Sequence, residues 1–93
     1  MTSLPYGVAW TPSAQRALAR LPEKIATAAI EFAYGSLAAN PRRLGRELHL
    51  GLSGHHSARR GDYRLIYRID EDQHRIHIVA VNHRADVYRR GKR

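Results

Sequence analysis

Arg59 and Arg64 flank the dipeptide Gly61-Asp62, so two strands meeting at that turn would carry both arginines side by side. Arg84 and Tyr88 follow directly after the next apolar run and can join the same face. Converging guanidinium groups suit a phosphoryl group whose equatorial oxygens gain negative charge during transfer. Cutting RNA without a metal also needs a base for the 2′-OH proton and an acid for the leaving oxygen; His55, His56, His83 and Tyr88 have the right chemistry. The same residues describe an RNA-binding surface equally well, with Tyr88 stacking on a base. Arg60, Arg68, Arg89 and Arg90 would widen the cationic surface around Arg59 for RNA. His49, His55 and His56 have no Cys or acidic cluster beside them, so no metal and no other cofactor is expected.

The stretch that must position this chemistry runs from Arg59 to Asp70. Tyr63, Leu65, Tyr67 and Ile69 alternate with Arg64, Ile66 and Arg68, the pattern of a strand with one apolar face and one face part apolar and part cationic. Before it, His55–Arg60 reads as a strand with little apolar character. After it, the turn Asp70-Glu71-Asp72-Gln73 leads to a strand from His74 to Asn82 that is apolar on both faces and therefore central or covered.

Upstream, Tyr6, Val8 and Trp10 alternate with Gly7 and Ala9, giving a first strand over 6–10. Thr11 is placed to cap a helix that has Pro12 at its first position and Ala14, Ala17, Leu18 and Leu21 on one face. Pro22 separates it from a second helix reaching about Ala39, where Asn40-Pro41 ends it. Arg42–Gly54 shows no clear period and reads as a packed connection. The order predicts an α+β domain: an N-terminal strand and a helical hairpin packed on one face of a mostly antiparallel four-stranded sheet, with an open basic face and a C-terminal tail.

The chain has 93 residues and no cysteine, which predicts one domain over 1–93 with neither disulfides nor thiolate metal sites. Its 16 Lys and Arg against 8 Asp and Glu give a net charge of +8. The excess is uneven: residues 1–41 hold 3 basic and 2 acidic side chains, residues 42–93 hold 13 and 6, and all six histidines lie in the second part. Such asymmetry predicts a polyanionic partner, nucleic acid before anionic membrane. Met1–Tyr6 has no basic leader pattern and no segment approaches the length of a membrane span, so a soluble, cytoplasmic protein is expected.

Leu52-x-Gly54, Arg59-x-Gly61-Asp62-Tyr63-Arg64-Leu65-Ile66-Tyr67 and Asn82-His83-Arg84-x-x-Val87-Tyr88 resemble the RelE branch of the RelE/ParE toxin superfamily of bacterial type II toxin–antitoxin systems. Trp10-Thr11-Pro12, the Ala-rich helical pair and Asn40-Pro41 extend the resemblance over nearly the whole chain. It implies a toxin that cuts mRNA in the ribosomal A site and inhibits growth. It also implies an acidic, partly helical antitoxin joined to it in a hetero-oligomer, with DNA bound only through that complex and no membrane partner. By position, Arg64 matches the strand arginine at the scissile phosphate, Arg84 and Tyr88 match the tail arginine and tyrosine, and Arg59 matches a basic residue one turn earlier. Where the best-known members carry lysines, this chain has His55 and Ser57. The ParE-like branch, which shares the scaffold but poisons DNA gyrase, generally lacks the Arg and Tyr tail and is the alternative.

Overall fold

The computed structural model describes residues 4–48 and 54–83. Strand β1 (Gly7–Trp10) leads through Thr11 into helix α1 (Pro12–Ala19). The Thr11 side-chain oxygen accepts the Ala14 amide at 3.2 Å, so the predicted cap satisfies one of the donors that a helix start leaves open. Helix α2 (Glu23–Phe32) continues into a π-helical turn, Ala33–Leu37. The single-turn helix α3 (Pro41–Leu44) is followed by β2 (Arg46–Glu47), β3 (His55–Arg60), β4 (Tyr63–Asp70) and β5 (Arg75–His83). No helix among the described residues is long and apolar enough to cross a membrane.

The five strands form one sheet in the order β1-β5-β4-β3-β2, antiparallel except for β1 against β5. Four strands were expected, and the fifth, β2, falls in the segment read as an irregular connection. Two residues are too short a strand to show alternation, so it has no sequence signature. Parallel pairing of β1 with β5 needs a crossover, and α1 and α2 supply it on one face of the sheet.

The core lies between that face and the helices. Ala14, Phe32, Ala33 and Leu37 meet Tyr63, Leu65, Tyr67, Ile76, Ile78 and Val81 there. The alternation of β4 holds throughout: Tyr63, Leu65 and Tyr67 are buried while Arg64 and Arg68 are exposed. The turn between β3 and β4 places Gly61 at φ +61°, a conformation glycine adopts without penalty.

Two contacts tie the irregular parts to the sheet. The hydroxyl of the fully buried Tyr67 donates to the Pro41 carbonyl, fixing α3 over the end of the core. Glu71, in the β4–β5 turn, accepts from the Tyr6 hydroxyl at 2.9 Å and from Arg42 Nη2 at 2.6 Å. The Arg42 guanidinium and the Tyr6 hydroxyl hold its carboxyl below the usual carboxylate range.

Candidate nucleic-acid interface and active site

The helices cover one face of the sheet, and strand register decides what the other face presents. Arg59 pairs directly with Arg64, and Arg64 in turn with Asn82. Ser57 pairs with Ile66 and with Arg46, and His55 pairs with Arg68, which pairs with His77. Residues opposite one another in a ladder share a face, so Arg46, His55, Arg59, Arg64, Arg68 and His77 all lie on the side away from the helices. A groove of about 530 Å³ is lined by Leu44, Arg46, Leu48, Ser57, Arg59 and Arg64. One wall of it is apolar and its floor is cationic, a combination that fits the base and the phosphate of a nucleotide.

Setting Arg59 opposite Arg64 costs stability, because like charges directly across a ladder repel. A solvent-facing hairpin gains nothing from that choice. An anion between them reverses the sign of the interaction.

The histidines named from sequence part company in the structure. His55 is on the open face, two residues along β3 from Ser57, and its Nδ1 is buried with no hydrogen-bond partner among the described residues. His56 points to the opposite side and stacks on Tyr67 with ring centroids 5.6 Å apart. His83 pairs with Tyr63, which places it on the helix-bearing side of the ladder, away from Arg64. Arg60 also lies on that side, its guanidinium 5.2 Å from the centroid of the Phe32 ring, a cation–π contact away from the open face. Both follow from parity: His83 and Arg60 share the register of Tyr63, whose side chain is buried. Arg84, Tyr88, Arg89 and Arg90 lie outside the described residues.

Arg46, Leu44 and His77 belong to the open face but were not singled out from sequence. For the first two, the alternation Leu44-x-Arg46-x-Leu48 was the available signal, masked by Gly45 and the surrounding charges.

Burial pushes the His56 imidazole below its ordinary range, against the opposing pull of Glu47. A group whose folded pKa is depressed stabilises the fold above its unfolded pKa of about 6.5 and loses that contribution as pH falls through the folded value. Thermal stability should therefore decline on acidification below that point, ahead of carboxylate titration. His56→Phe should flatten this part of a melting-temperature series between about pH 7.5 and 5; an identical slope in the variant would remove His56 from the account.

Among the described residues the α+β sheet leaves a cationic face that no helix covers, the kind of surface a polyanion would suit, and comparison with known proteins narrows the class. Residues 8–88 match the family of the ParE toxin of the type II toxin–antitoxin system parDE. Toxin RelE of Mycobacterium tuberculosis is 54% identical over 85 residues, which span 91% of this chain and 88% of that protein. Toxin RelG of the same organism is 49% identical over 94% of this chain and 100% of its own length. A toxin–antitoxin complex, RelBE2 of M. tuberculosis, contains a chain that superposes with a TM-score of 0.85 at 48% identity, covering 89% of this chain and 95% of that one. The isolated E. coli RelE toxin shares the fold, with a TM-score of 0.69 at 13% identity over 94% of this chain and 95% of that one. The chain thus belongs to the RelE/ParE family of type II toxin–antitoxin toxins, on its RelE side.

Proposed function

We propose that the protein, acting as one toxin domain over 1–93, is a ribosome-dependent mRNA endonuclease of the cytoplasm. The observation that carries this reading is the direct pairing of Arg59 with Arg64 in a groove that Ser57 also lines, with His55 two residues further along β3. The scissile phosphate would lie over the Ser57–Ile66 row, within reach of Arg64 from one side and His55 from the other. The 2′-OH attacks that phosphorus as His55 takes its proton; Arg64 and Arg84 stabilise the dianionic phosphorane; the P–O5′ bond then breaks as a solvent water gives O5′ a proton, leaving a 2′,3′-cyclic phosphate and a 5′-OH, and His55 returns its proton to solvent. Tyr88 stacks on or orients the nucleotide, and Arg59 holds a flanking phosphate. The reaction uses no metal in this scheme, because the arginines supply the charge stabilisation.

Primer extension on mRNA from cells expressing the chain should show cuts in coding frame at the A site. Intact mRNA together with trapped gyrase cleavage complexes would instead favour the ParE-like reading, which the matching family's description keeps in view. In single-turnover cleavage the rate should bend in the range where imidazoles titrate, and His55→Gln should abolish the bend. His83→Gln, on the other side of the sheet, should keep it. A bend retained in both variants would remove histidine from proton transfer.

The antitoxin partner follows from the same face. Relatives are found with antitoxins in the M. tuberculosis RelBE2 complex and in the archaeal RelE–RelB complex of Pyrococcus horikoshii. An acidic, partly helical segment laid across Arg59, Arg64 and Arg68 would neutralise this chain and block RNA. Co-expression with the adjacent reading frame should restore growth and yield a co-purifying complex; an independent product that does neither would refute the pairing.

A further inference from the structure

The open face continues past the residues given roles so far. Register sets three rows across β3, β4 and β5: Arg59, Arg64 and Asn82; then Ser57, Ile66 and Ala80; then His55, Arg68 and His77. Rows two residues apart along a strand are separated by roughly 7 Å, and the outer two by about 13 Å. The middle row is uncharged on these strands, with Arg46 reaching it from β2. Both outer rows carry an exposed arginine. One row further along β4 and β5, Asp70 pairs with the exposed Arg75. Asp70 Oδ2 lies 3.7 Å from His77 Nε2, and Oδ1 accepts the Gln73 amide at 3.1 Å, so the carboxylate is turned to His77 and the β4–β5 turn.

Building on the RNA reading above, we propose that Arg68, with His77 beside it, is a second flanking-phosphate subsite, on the side of the scissile position opposite Arg59. The geometry carries this. The two-residue repeat of a strand is close to the distance between successive phosphates of an extended nucleic-acid strand, so three consecutive phosphates lie over three consecutive rows. The partly covered Ile66 lies under the middle of the strand, where a ribose or base edge meets it. His77 sits beside Arg68 in the same row with Nε2 3.7 Å from Asp70 Oδ2, so Nδ1 is the ring nitrogen left to donate to the phosphate that Arg68 binds. The face thus fixes which internucleotide bond stands over the middle row: it is the one with an anchored phosphate on each side.

The test is a length series. The full chain is titrated with 2′-O-methyl oligouridylates carrying one, two or three bridging phosphates, which bind without being cut. Wild-type affinity should rise about tenfold at each added phosphate. Its dependence on log salt should steepen by roughly 0.7 per step, the value for single strands. Arg68→Ala should keep the first gain, through Arg59, and lose the second. Arg59→Ala should do the same, and the double variant should gain at neither step. His77→Ala should shrink the second gain. Arg64→Ala should leave the length series almost unchanged, because its charge is needed mainly in the transition state.

An Arg68→Ala protein that still gains at the third phosphate overturns the subsite while leaving the RNA reading intact. Absence of any gain in the wild type, together with uncut mRNA in the primer-extension assay, overturns both. If Arg68→Ala leaves the series unchanged but weakens an acidic antitoxin peptide, the third row belongs to the protein partner and not to RNA.

Discussion

Arg64→Ala should lower single-turnover mRNA cleavage by about 100- to 1000-fold, the usual cost of removing one preorganised group from a developing oxyanion. Ribosome affinity should barely change, because the charge is needed mainly when the phosphorane forms. The same variant should melt no lower than the parent. Arg64 faces Arg59 across the ladder, and relief of such a like-charge pair is worth roughly 0.2–1 kcal/mol. Loss of activity with unchanged or improved stability is a signature that a structural arginine would not give. Arg59→Ala should be gentler on rate and should act through affinity and its salt dependence. If Arg64→Ala loses affinity and rate in equal measure, the residue grips RNA and the catalytic role falls.

The second large effect concerns Gly45. A Cβ there would stand 2.0 Å from the Tyr67 hydroxyl oxygen, 2.9 Å from Tyr67 Cζ and 3.2 Å from the Ser57 carbonyl. Tyr67 cannot move aside, since its ring is fully buried and stacked on His56. Gly45→Ala should therefore displace the hydroxyl from the Pro41 carbonyl, and its cost has two parts. Overpacking a filled core costs about 1–3 kcal/mol, and an unpartnered buried hydroxyl adds about 1–3 kcal/mol. In a domain of this size each kcal/mol lowers the melting temperature by roughly 4–8 °C, so a fall of about 10 °C or more is expected. Adding Tyr67→Phe removes the atom most severely clashed and should recover part of the loss. A Gly45→Ala protein with the parent's melting temperature would show that the α3–β2 corner yields freely. Because that corner carries Leu44 and Arg46, the variant should also bind RNA less well.

The residues that sequence located correctly are those whose environment repeats. β4 was legible because Tyr63, Leu65 and Tyr67 are buried and Arg64 and Arg68 are not, a period of two over a full strand. Thr11 and Pro12 announced α1 through local chemistry that needs no tertiary context. β2 was lost because a two-residue strand has no period, and with it went Arg46. The parallel partnership of β1 with β5 is a long-range choice that neither strand records. Among the site residues, parity decided the outcome. Arg59 and His55 share the register of Arg64 and reach the open face, whereas Arg60 and His83 share that of Tyr63. Distance along the chain to the turn could have settled Arg60. His83 required the shift in register between Ile66 and Tyr67, where β5 carries one extra residue against β4, and nothing in the sequence marks that irregularity.

The pairing of β1 with β5 also bears on how the protein comes into being. Gly7 meets Arg75, so the strand made first acquires its neighbour only after nearly all of the described chain has been synthesised. The β3–β4 and β4–β5 hairpins close locally, whereas the β1–β5 seam carries a long loop-closure cost and should form late. Val8 and Trp10 pack against the core only once that seam exists, and α1 leans on β5 in the same way. A nascent chain therefore holds its first strand and helix without a partner until β5 emerges. For a chain that would attack translating ribosomes, this order delays a complete cationic face until β5 has been made, and it leaves a period in which a waiting partner could meet the unfinished sheet.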